Sequence, residues 1–265
     1  MAGRQTEDPG KTLLGRLYTF MATIMLWAYF TVGFVVFFLI FYLAAWLFAR
    51  DRELAFQRLN SKFYQGFFWL ARIIIPRHGW QIDENIRHIR SSVIVCNHVS
   101  YLDPLILISL FERHKTIVKS RFFQIPIFGW FLKTAGYLPS TSETPFSQMM
   151  IDQIEKMDDY LAAGGNLFIF PEGTRSRDGK LGTFNKGAFK IARLCKAPIR
   201  VVRICNSDKL YTPGKYLFNT GIRNTITVIL MGQIGPDYEQ SPPAPSDLEI
   251  QVRRILTAAG CESNL

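Results

Sequence analysis

The hydrophobic pattern divides the chain into an apolar first part and a longer part in which short apolar runs alternate with polar ones. Residues 17–49 contain no charged residue and no proline. A membrane-spanning helix needs about 20 apolar residues, so this segment predicts a membrane-embedded helix that stays attached to the protein. At about 1.5 Å per residue, it exceeds the roughly 30 Å hydrocarbon core. Two arrangements remain open: one tilted helix, or a helical hairpin that bends near Gly33.

The next segment, residues 50–78, mixes basic and aromatic side chains. That mixture is typical of an interfacial helix, in which rings lie at headgroup depth and basic groups bind lipid phosphates. The alternative is an amphipathic helix packed on a globular domain; we favour the interface because the segment directly follows an apolar one. Residues 1–16 form an N-terminal tail. Basic residues on both sides of 17–49 suit a segment whose two ends lie on the cytoplasmic side.

From residue 79 to residue 265 the pattern predicts an α/β domain. Short apolar runs predict strands in "SSVIVCN", "KTIVKS", "NLFIF", "PIRVVRIC" and "NTITVILMGQI". Helical spacing occurs in "PLILISLFERH", "PFSQMMIDQIEKMDDYLAAGG", "GAFKIARLCKA" and "SDLEIQVRRILTAAG", the last with Ser246 as its cap. The segment "RFFQIPIFGWFLKTAGYLPS" is interpreted as rich in loops. Strands that alternate with helices predict a mixed, mostly parallel sheet flanked by helices.

Composition limits the classes of function. Apolar residues make up 48% and aromatic residues 14%, which excludes a disordered chain. Lysine and arginine number 31 against 21 acidic residues, and the net charge of +10 favours anionic partners such as phospholipid headgroups. The basic residues are dispersed and no reader motif occurs, so nucleic acid is not an expected partner. The 4 cysteines lack close pairing, which predicts free thiols, and the spacing of His78, His88 and His114 predicts loop or surface residues and no metal site.

One predicted strand ends on a histidine. In "VIVCNHVSYLDP" the strand stops at Asn97, His98 follows, and Asp103 precedes Pro104. Aspartate before proline suits a helix start, so capping alone explains Asp103. If the loop folds back, the carboxylate accepts from one ring nitrogen of His98 and leaves the other free to take a proton from a hydroxyl. These two residues alone do not decide between the roles, because no nucleophilic side chain is paired with them.

A second polar cluster follows the predicted strand "NLFIF". It consists of Glu172, Gly173, Thr174 and Arg175, after a proline. Glycine lets the backbone approach a substrate closely, and arginine offers a planar fork to a phosphate. A charged surface turn is the alternative, but it explains poorly a glutamate placed directly after a buried strand.

Together, these two stretches resemble motifs of the glycerolipid acyltransferases. "NHVSYLD" is similar to the H-x-x-x-x-D motif of that family, and "FPEGTRS" to its E-G-T-R-S motif, in the same order. The segments "IVKSRFFQIPIFGWFLKTAGYL" and "TFNKGAFKIARLCKAPIRVV" resemble the family's other shared stretches. The likeness covers Asn85 to Met231 and points to the 1-acylglycerol-3-phosphate acyltransferases. It therefore implies the glycerolipid acyltransferase fold for residues 79–265.

The resemblance also implies a reaction and its partners. A fatty acyl group would move from a thioester of coenzyme A or acyl carrier protein to the hydroxyl of a lysophospholipid. The acceptor would be 1-acylglycerol-3-phosphate, and no bound cofactor would be needed. The protein would sit in the cell inner membrane, with its catalytic domain on the cytoplasmic side.

The same resemblance assigns roles to the motif residues. His98 would be the general base and Asp103 would orient it. Glu172 and Gly173 match positions that hold the glycerol part of the acceptor. The remaining substrate-binding positions are Thr174, in the same motif, and Lys119 and Arg175, which would neutralise the acceptor's phosphate.

The chain also departs from the family pattern. Ser142 stands about where the family has an arginine, and Val201 where it has a proline. Arg200 and Arg203 are extra charges that either replace the lost arginine or face solvent, and we favour solvent. The acceptor therefore stays open, with a lyso-ornithine lipid as the alternative. Two other classes also remain: a hydrolase that activates water with the same pair, and a non-catalytic lipid-binding protein.

Overall fold

The apolar segment forms one uninterrupted helical run, Leu13–Phe48, in the computed structural model, which describes residues 12–140, 146–176 and 179–258. The run consists of α1 (Leu13–Ala28), a π-helical part (Tyr29–Phe38) and α2 (Leu39–Phe48). Gly33 lies in the π-helical part, and the helix does not turn back there. Within the described residues, this run alone is long and apolar enough to cross a membrane. How it lies in a bilayer stays a prediction.

The helix begins earlier than the apolar pattern predicts. Its first residue is Leu13 rather than Leu17, because the Thr12 hydroxyl caps it by accepting from the Gly15 amide at 3.1 Å. The last residues of the predicted tail therefore belong to α1. Residues 1–11 of that tail lie outside the described part of the chain.

A second long helix, α3 (Arg52–Ile74), runs back along the first. Near the turn, the Tyr42 and Phe56 rings meet edge to face at 5.1 Å. Near the middle, Tyr29 stacks on Phe63, also at 5.1 Å. At the far end, the Tyr18 hydroxyl donates to the carbonyl of Ile74. The hairpin therefore forms between the whole apolar run and α3, not within the run.

The interfacial interpretation of residues 50–78 is wrong for most of its aromatic rings. Phe56, Phe63, Phe67 and Phe68 are buried in the protein core. Helix α3 has the apolar run on one side and the α/β domain on another, so these rings are covered by protein and cannot lie among lipid headgroups. Trp69 stays exposed, on the outer face of the helix.

The α/β domain follows α3. Its strands are β1 (His78–Ile82), β2 (Ser92–Cys96), β3 (His114–Val118), β4 (Leu138–Pro139), β5 (Asn166–Ile169), β6 (Ile199–Cys205) and β7 (Asn224–Ile234). Its helices are α4 (Glu84–Arg87), α5 (Leu102–Leu110), α6 (Phe128–Thr134), α7 (Phe146–Glu155), α8 (Met157–Ala162), α9 (Lys186–Leu194), α10 (Ser207–Leu210) and α11 (Pro245–Ala258), with a 3-10 turn at Ser120–Gln124. The sheet order is β1-β7-β6-β2-β5-β3-β4. Strands β2 to β6 run parallel and β7 is antiparallel to β6, which confirms the predicted mixed, mostly parallel sheet.

Both faces of the sheet are covered. Strand β2 shows why, because its alternate side chains enter different cores. Ile94 packs with α3 and α5, whereas Val93 and Val95 pack with α8, α9 and α11. A strand covered on both sides must be apolar throughout, as "SVIVC" is.

Several elements differ from the sequence interpretation. The pattern missed β1, whose residues "HGWQI" lie at the sheet edge, where His78 alone of the five is fully buried. The segment interpreted as loop contains the 3-10 turn, α6 and β4. Helix α11 begins at Pro245, so Ser246 lies in its first turn and is not its cap.

The carboxyl edge of the parallel strands collects the motif residues. His98 follows β2, Lys119 follows β3 and Glu172 follows β5, and these three strands are neighbours in the sheet. Parallel strands end at the same edge, so loops that are distant in sequence meet there. We place the candidate site at this edge.

Candidate active site

Asn97 sets the position of the histidine at the end of β2. Its side-chain oxygen accepts from the Ile204 amide and its side-chain nitrogen donates to the Ile204 carbonyl, both at 2.8 Å. The amide side chain thus continues the hydrogen-bond ladder between β2 and β6 after the backbone of β2 has turned away. The next residue, His98, is thereby carried out of the sheet at a fixed point.

His98 and Asp103 form a hydrogen-bonded pair. The Nδ1 atom of His98 lies 2.9 Å from Oδ2 of Asp103. The same oxygen accepts from the backbone amides of Val99 at 2.7 Å and Ser100 at 2.8 Å. The other oxygen, Oδ1, accepts from the Ser207 hydroxyl at 2.5 Å. The loop therefore does fold back on the carboxylate, which is 0% exposed.

Asp103 is not the helix cap that the Asp-Pro pattern suggested. Helix α5 already begins at Leu102, and Asp103 lies in its first turn. Its carboxylate points back to the amides that precede the helix. A negative charge in this turn is still favoured by the helix dipole.

The second ring nitrogen of His98 is available to accept a proton. Nδ1 donates to Asp103, so the neutral ring presents Nε2 as an acceptor. Nε2 makes no hydrogen bond with a described residue, and the side chain keeps 16% exposure. The ring also packs on Phe170, with centroids 4.5 Å apart. The geometry is that of a base held from one side and open on the other.

Glu172 ties the two motif loops together. Its Oε1 accepts from the backbone amide of His98 at 3.0 Å, and its Oε2 accepts from the amide of Gly182 at 2.9 Å. A further backbone bond joins the Ser176 amide to the His98 carbonyl at 2.8 Å. Both carboxylate oxygens therefore already have donors, which gives Glu172 a role in loop structure beside the predicted role in holding glycerol.

Gly173 adopts a backbone conformation that favours glycine. Its φ is +62°, in the left-handed region, and a Cβ there would meet nothing within 4 Å. The amide donates to Phe170 at 3.0 Å. The turn therefore leaves an open backbone surface beside the histidine.

Arg175 lies on an aromatic ring of the first motif. Its Cζ atom is 3.1 Å from the centroid of Tyr101, a cation–π contact. The Nη1 atom is buried and has no hydrogen-bond partner among the described residues. A buried donor without a partner is costly, so an acceptor supplied by a ligand would stabilise it. Arg175 therefore lies against the His98 loop and has a hydrogen-bond donor that a ligand can use.

The remaining predicted residues are less constrained. Thr174 is exposed, and so is Lys119. Strand β5 separates β2 from β3, so the ends of these two strands are about 10 Å apart. The Lys119 ammonium forms no ion pair with a described residue, and the structure does not bring it into contact with His98. Ser142, which replaces a family arginine, lies outside the described part of the chain.

Charges in β6 were placed wrongly by the sequence pattern. Arg203 is half-buried and its Nη1 donates to the Leu256 carbonyl of α11 at 2.6 Å. Arg200 is also half-buried. Neither simply faces solvent, because α11 covers this part of the strand.

Two of the other histidines and one cysteine also correct the prediction. His78 and His114 are buried in strands rather than lying in loops, while His88 is exposed. Burial lowers the pKa of His114 to about 4. Cys96 and Cys195 are free, but Cys205 is disulfide-bonded, which sequence spacing could not show. The described residues contain no group of side chains that could hold a metal ion.

A concavity elsewhere on the surface offers no comparable chemistry. It has a volume of about 540 Å³ and is lined by Arg72, Pro76, His78, Trp80, Ile82 and Arg87. It contains none of the motif residues. His78 is its one imidazole, and both ring nitrogens are already bonded, to Asn219 and Asn224.

Sequence reasoning missed three functional neighbours of the pair. Asn97 was noticed only as the end of a strand, Tyr101 not at all, and Ser207 lies more than 100 positions beyond the motif. Asn97 offered a signal, since a polar amide ending a buried run needs a partner. Ser207 offered none.

Comparison with known proteins finds a matching family model and several relatives. Residues 79–204 match the family described as Acyltransferase. A chloroplastic 1-acyl-sn-glycerol-3-phosphate acyltransferase of Brassica napus is 35% identical over 167 residues, which cover 61% of this chain and 48% of the relative. The 1-acyl-sn-glycerol-3-phosphate acyltransferase of Pseudomonas aeruginosa is 30% identical and is matched over 55% of each chain. The chain thus spans about half the length of these curated relatives.

A solved structure has the same fold. The 1-acyl-sn-glycerophosphate acyltransferase of Thermotoga maritima superimposes with a TM-score of 0.66. The match covers 93% of this chain and 99% of the other, at 22% identity. At that identity the likeness establishes the fold alone.

Proposed function

We propose that this chain is an O-acyltransferase, because its residues 79–204 match the family described as Acyltransferase. It moves a fatty acyl group from an acyl thioester to the free hydroxyl of a lysophospholipid. The observation that carries this proposal is the His98–Asp103 pair, with Nδ1 held at 2.9 Å and Nε2 left open at the sheet edge. The activity named for the relatives supports 1-acylglycerol-3-phosphate as the acceptor.

The pair can perform the transfer without an acyl-enzyme. Nε2 of His98 takes the proton of the acceptor hydroxyl as the oxygen attacks the thioester carbonyl. The new C–O bond forms, the C–S bond breaks, and the proton passes from His98 to the departing thiolate. Asp103 fixes the tautomer and stabilises the imidazolium. The amides of Val99 and Ser100 are bound to Asp103, so neither is available to the tetrahedral oxyanion.

Arg175 is the proposed contact for the acceptor's phosphate. Its guanidinium has a buried donor atom without a partner among the described residues and rests 3.1 Å above Tyr101. A phosphate oxygen would satisfy that donor with a charge-assisted hydrogen bond. Lys119 adds a second positive charge at the same edge.

We also propose that the apolar run attaches the enzyme to a membrane. Apolar side chains along Leu13–Phe48 remain exposed, including Val35, Val36, Phe37, Ile40 and Phe41. Such a surface is unusual in a soluble domain and suits contact with lipid. The run packs on α3 through its other face, which would hold the catalytic edge close to the bilayer. Attachment to the inner membrane from the cytoplasmic side is part of this proposal.

Product analysis tests the function. The purified full chain, in detergent with one acyl thioester, is offered 1-acylglycerol-3-phosphate, a lyso-ornithine lipid and other lysolipids, and products are identified by mass spectrometry. The expected result is phosphatidic acid from 1-acylglycerol-3-phosphate. Diacylated ornithine lipid as the main product would show that the acceptor is a lyso-ornithine lipid instead. Free fatty acid formed equally without any acceptor would show a hydrolase instead.

A further inference from the structure

We propose that Ser207 is a positioning residue for the His98–Asp103 pair, an inference that rests on the proposed acyl transfer. Ser207 begins α10 and is 0% exposed. Its hydroxyl lies 2.5 Å from Oδ1 of Asp103, and Oδ2 lies 2.9 Å from Nδ1 of His98. The serine, the carboxylate and the imidazole therefore form one hydrogen-bonded chain that leads to the open Nε2.

The two carboxylate oxygens of Asp103 have different surroundings. Oδ2 accepts from His98 and from the amides of Val99 and Ser100. For Oδ1, the donor among the described residues is Ser207. Asp103 is 0% exposed, so water does not replace a lost donor at low cost. Without the hydroxyl, the carboxylate would gain by rotating Oδ1 toward the donors of Oδ2, and the aim of the imidazole would change.

The fold builds this contact from two strand ends. The side chain of Asn97 pairs with Ile204 and keeps the ends of β2 and β6 side by side. Asn206 then takes a left-handed conformation, with φ of 64°, which asparagine tolerates better than most residues. Its side chain donates to the Thr225 carbonyl at 3.0 Å, which fixes the turn. The turn brings Ser207 back over Asp103.

A second hydroxyl ties the same two segments together. The Ser100 hydroxyl donates to the Tyr211 carbonyl at 2.9 Å, just after α10. That bond joins the segments but does not reach the carboxylate. Of the two hydroxyls, only that of Ser207 binds the Asp103 carboxylate, which in turn binds the imidazole. Removing the Ser207 hydroxyl is therefore expected to affect catalysis and not only stability.

The experiment compares variants of the full chain in acyl transfer. Ser207→Ala is expected to lower kcat about 10- to 100-fold, with both KM values within about twofold, because it misorients the base without touching either substrate. Ser207→Thr keeps a donor and is expected to restore most of kcat. In an Asp103→Asn background, Ser207→Ala is expected to cause no further loss, because the serine acts through the carboxylate.

Ser92→Ala is the matched control. Ser92 is also 0% exposed, and its hydroxyl donates to the Arg90 carbonyl at 2.7 Å, at the opposite end of β2. This variant should keep the wild-type kcat. A Ser207→Ala enzyme with wild-type kcat would overturn the proposal, as would losses that add fully to those of Asp103→Asn.

Further measurements cover a Ser207→Ala variant that does not fold, and they distinguish failure of the proposed function from failure of the role of Ser207. If Ser207→Ala does not fold, Ser207→Cys decides the matter: a weaker donor of similar size should give an intermediate kcat, and a wild-type kcat would overturn the proposal. If the wild type transfers no acyl group, the proposed function has failed. If the wild type is active and Asp103→Asn is impaired while Ser207→Ala is not, only the role of Ser207 has failed.

Discussion

At the scale of single residues, two motif side chains have structural contacts beyond the roles that the family resemblance implies for them. Glu172 uses both oxygens on backbone amides, and Arg175 rests on Tyr101. Neither set of contacts follows from the spacing within "FPEGTRS", because the three partners, His98, Gly182 and Tyr101, all lie outside that stretch. Each contact leads to a measurement that separates positioning from substrate binding.

For Glu172, the substitution Glu172→Gln keeps the shape and replaces one acceptor oxygen by a donor. That donor then faces a backbone amide of His98 or Gly182, so the free energy of unfolding should fall by about 1–3 kcal/mol. Chemical denaturation in detergent measures this change. If Glu172 served only to bind glycerol, stability would be unchanged and the acceptor KM alone would rise.

For Tyr101, the ring and not the hydroxyl should matter. Tyr101→Leu removes the surface under Arg175 and should raise the acceptor KM by about 2- to 30-fold, with little change in the donor KM. Tyr101→Phe keeps the ring and serves as the matched control, with an acceptor KM close to wild type. Equal effects of the two substitutions would contradict the cation–π role.

At the scale of elements, a buried polar network joins the apolar run to the sheet. The Tyr42 hydroxyl donates to Asn60 of α3, Asn60 donates to the Tyr137 hydroxyl at 3.1 Å, and that hydroxyl lies 2.7 Å from Nε2 of His114 in β3. Nδ1 of His114 lies 2.8 Å from the Phe111 carbonyl. The network holds three separate elements in register through a histidine that is neutral when folded.

This histidine makes stability depend on pH. Burial lowers the pKa of His114 to about 4, whereas the unfolded side chain titrates near its ordinary 6.5. Between these values the unfolded state binds the extra proton. The contribution of His114 is therefore fully present above pH 6.5 and is lost as pH falls toward 4, by up to about 1.4 kcal/mol per pH unit.

His114→Gln tests this dependence. The variant should be less stable than the wild type at pH 8, because it loses packing, but its melting temperature should fall less between pH 6.5 and pH 4.5. The exposed His88 provides the control, since His88→Gln should leave the wild-type slope unchanged. An unchanged slope in His114→Gln would contradict the account.

Much of the element order was predictable because the physical signals were local. Strand β2 is apolar at every position, and the helix that ends near Gly164 closes on a residue with φ of +87°. Edge strand β1 was not predicted because its residues are buried to different extents, so its sequence shows no clear alternation of apolar and polar residues. Likewise, the burial of the α3 phenylalanines depends on a partner helix, which composition does not specify.

The candidate site was also predictable only in part: the motif residues could be found from the sequence, and Ser207 could not. The order of the motifs located His98, Asp103 and Arg175 on one edge, since parallel strands end together. Ser207 could not be found in this way, because its contact depends on the register between β2 and β6 and on the turn at Asn206.

At the scale of the whole molecule, the apolar run has one face that packs on protein and one exposed face that we propose contacts lipid. Tyr42 is 1% exposed and packs on Phe56 and Phe131, whereas its neighbour Phe41 is 58% exposed. Tyr42→Ala should therefore lower the free energy of unfolding by about 3–5 kcal/mol. Phe41→Ala, the matched control, should leave the free energy of unfolding in detergent nearly unchanged.

The outer face carries the membrane prediction. Phe37 and Phe41 are both exposed, so changing both to aspartate should weaken flotation with phospholipid vesicles while the melting temperature in detergent stays the same. Unchanged flotation would contradict a lipid contact at this face. A lowered melting temperature would show that the face packs on protein.

The proposed reaction depends on His98 taking a proton from the alcohol of an incoming lipid. The most direct measurement is the rate of thiol release from an acyl thioester, with and without 1-acylglycerol-3-phosphate, for the wild type, His98→Ala and the control His88→Ala. We expect acceptor-dependent release by the wild type and the control, and a loss of about 100-fold or more in His98→Ala. Release by His98→Ala at the wild-type rate would contradict the proposed reaction.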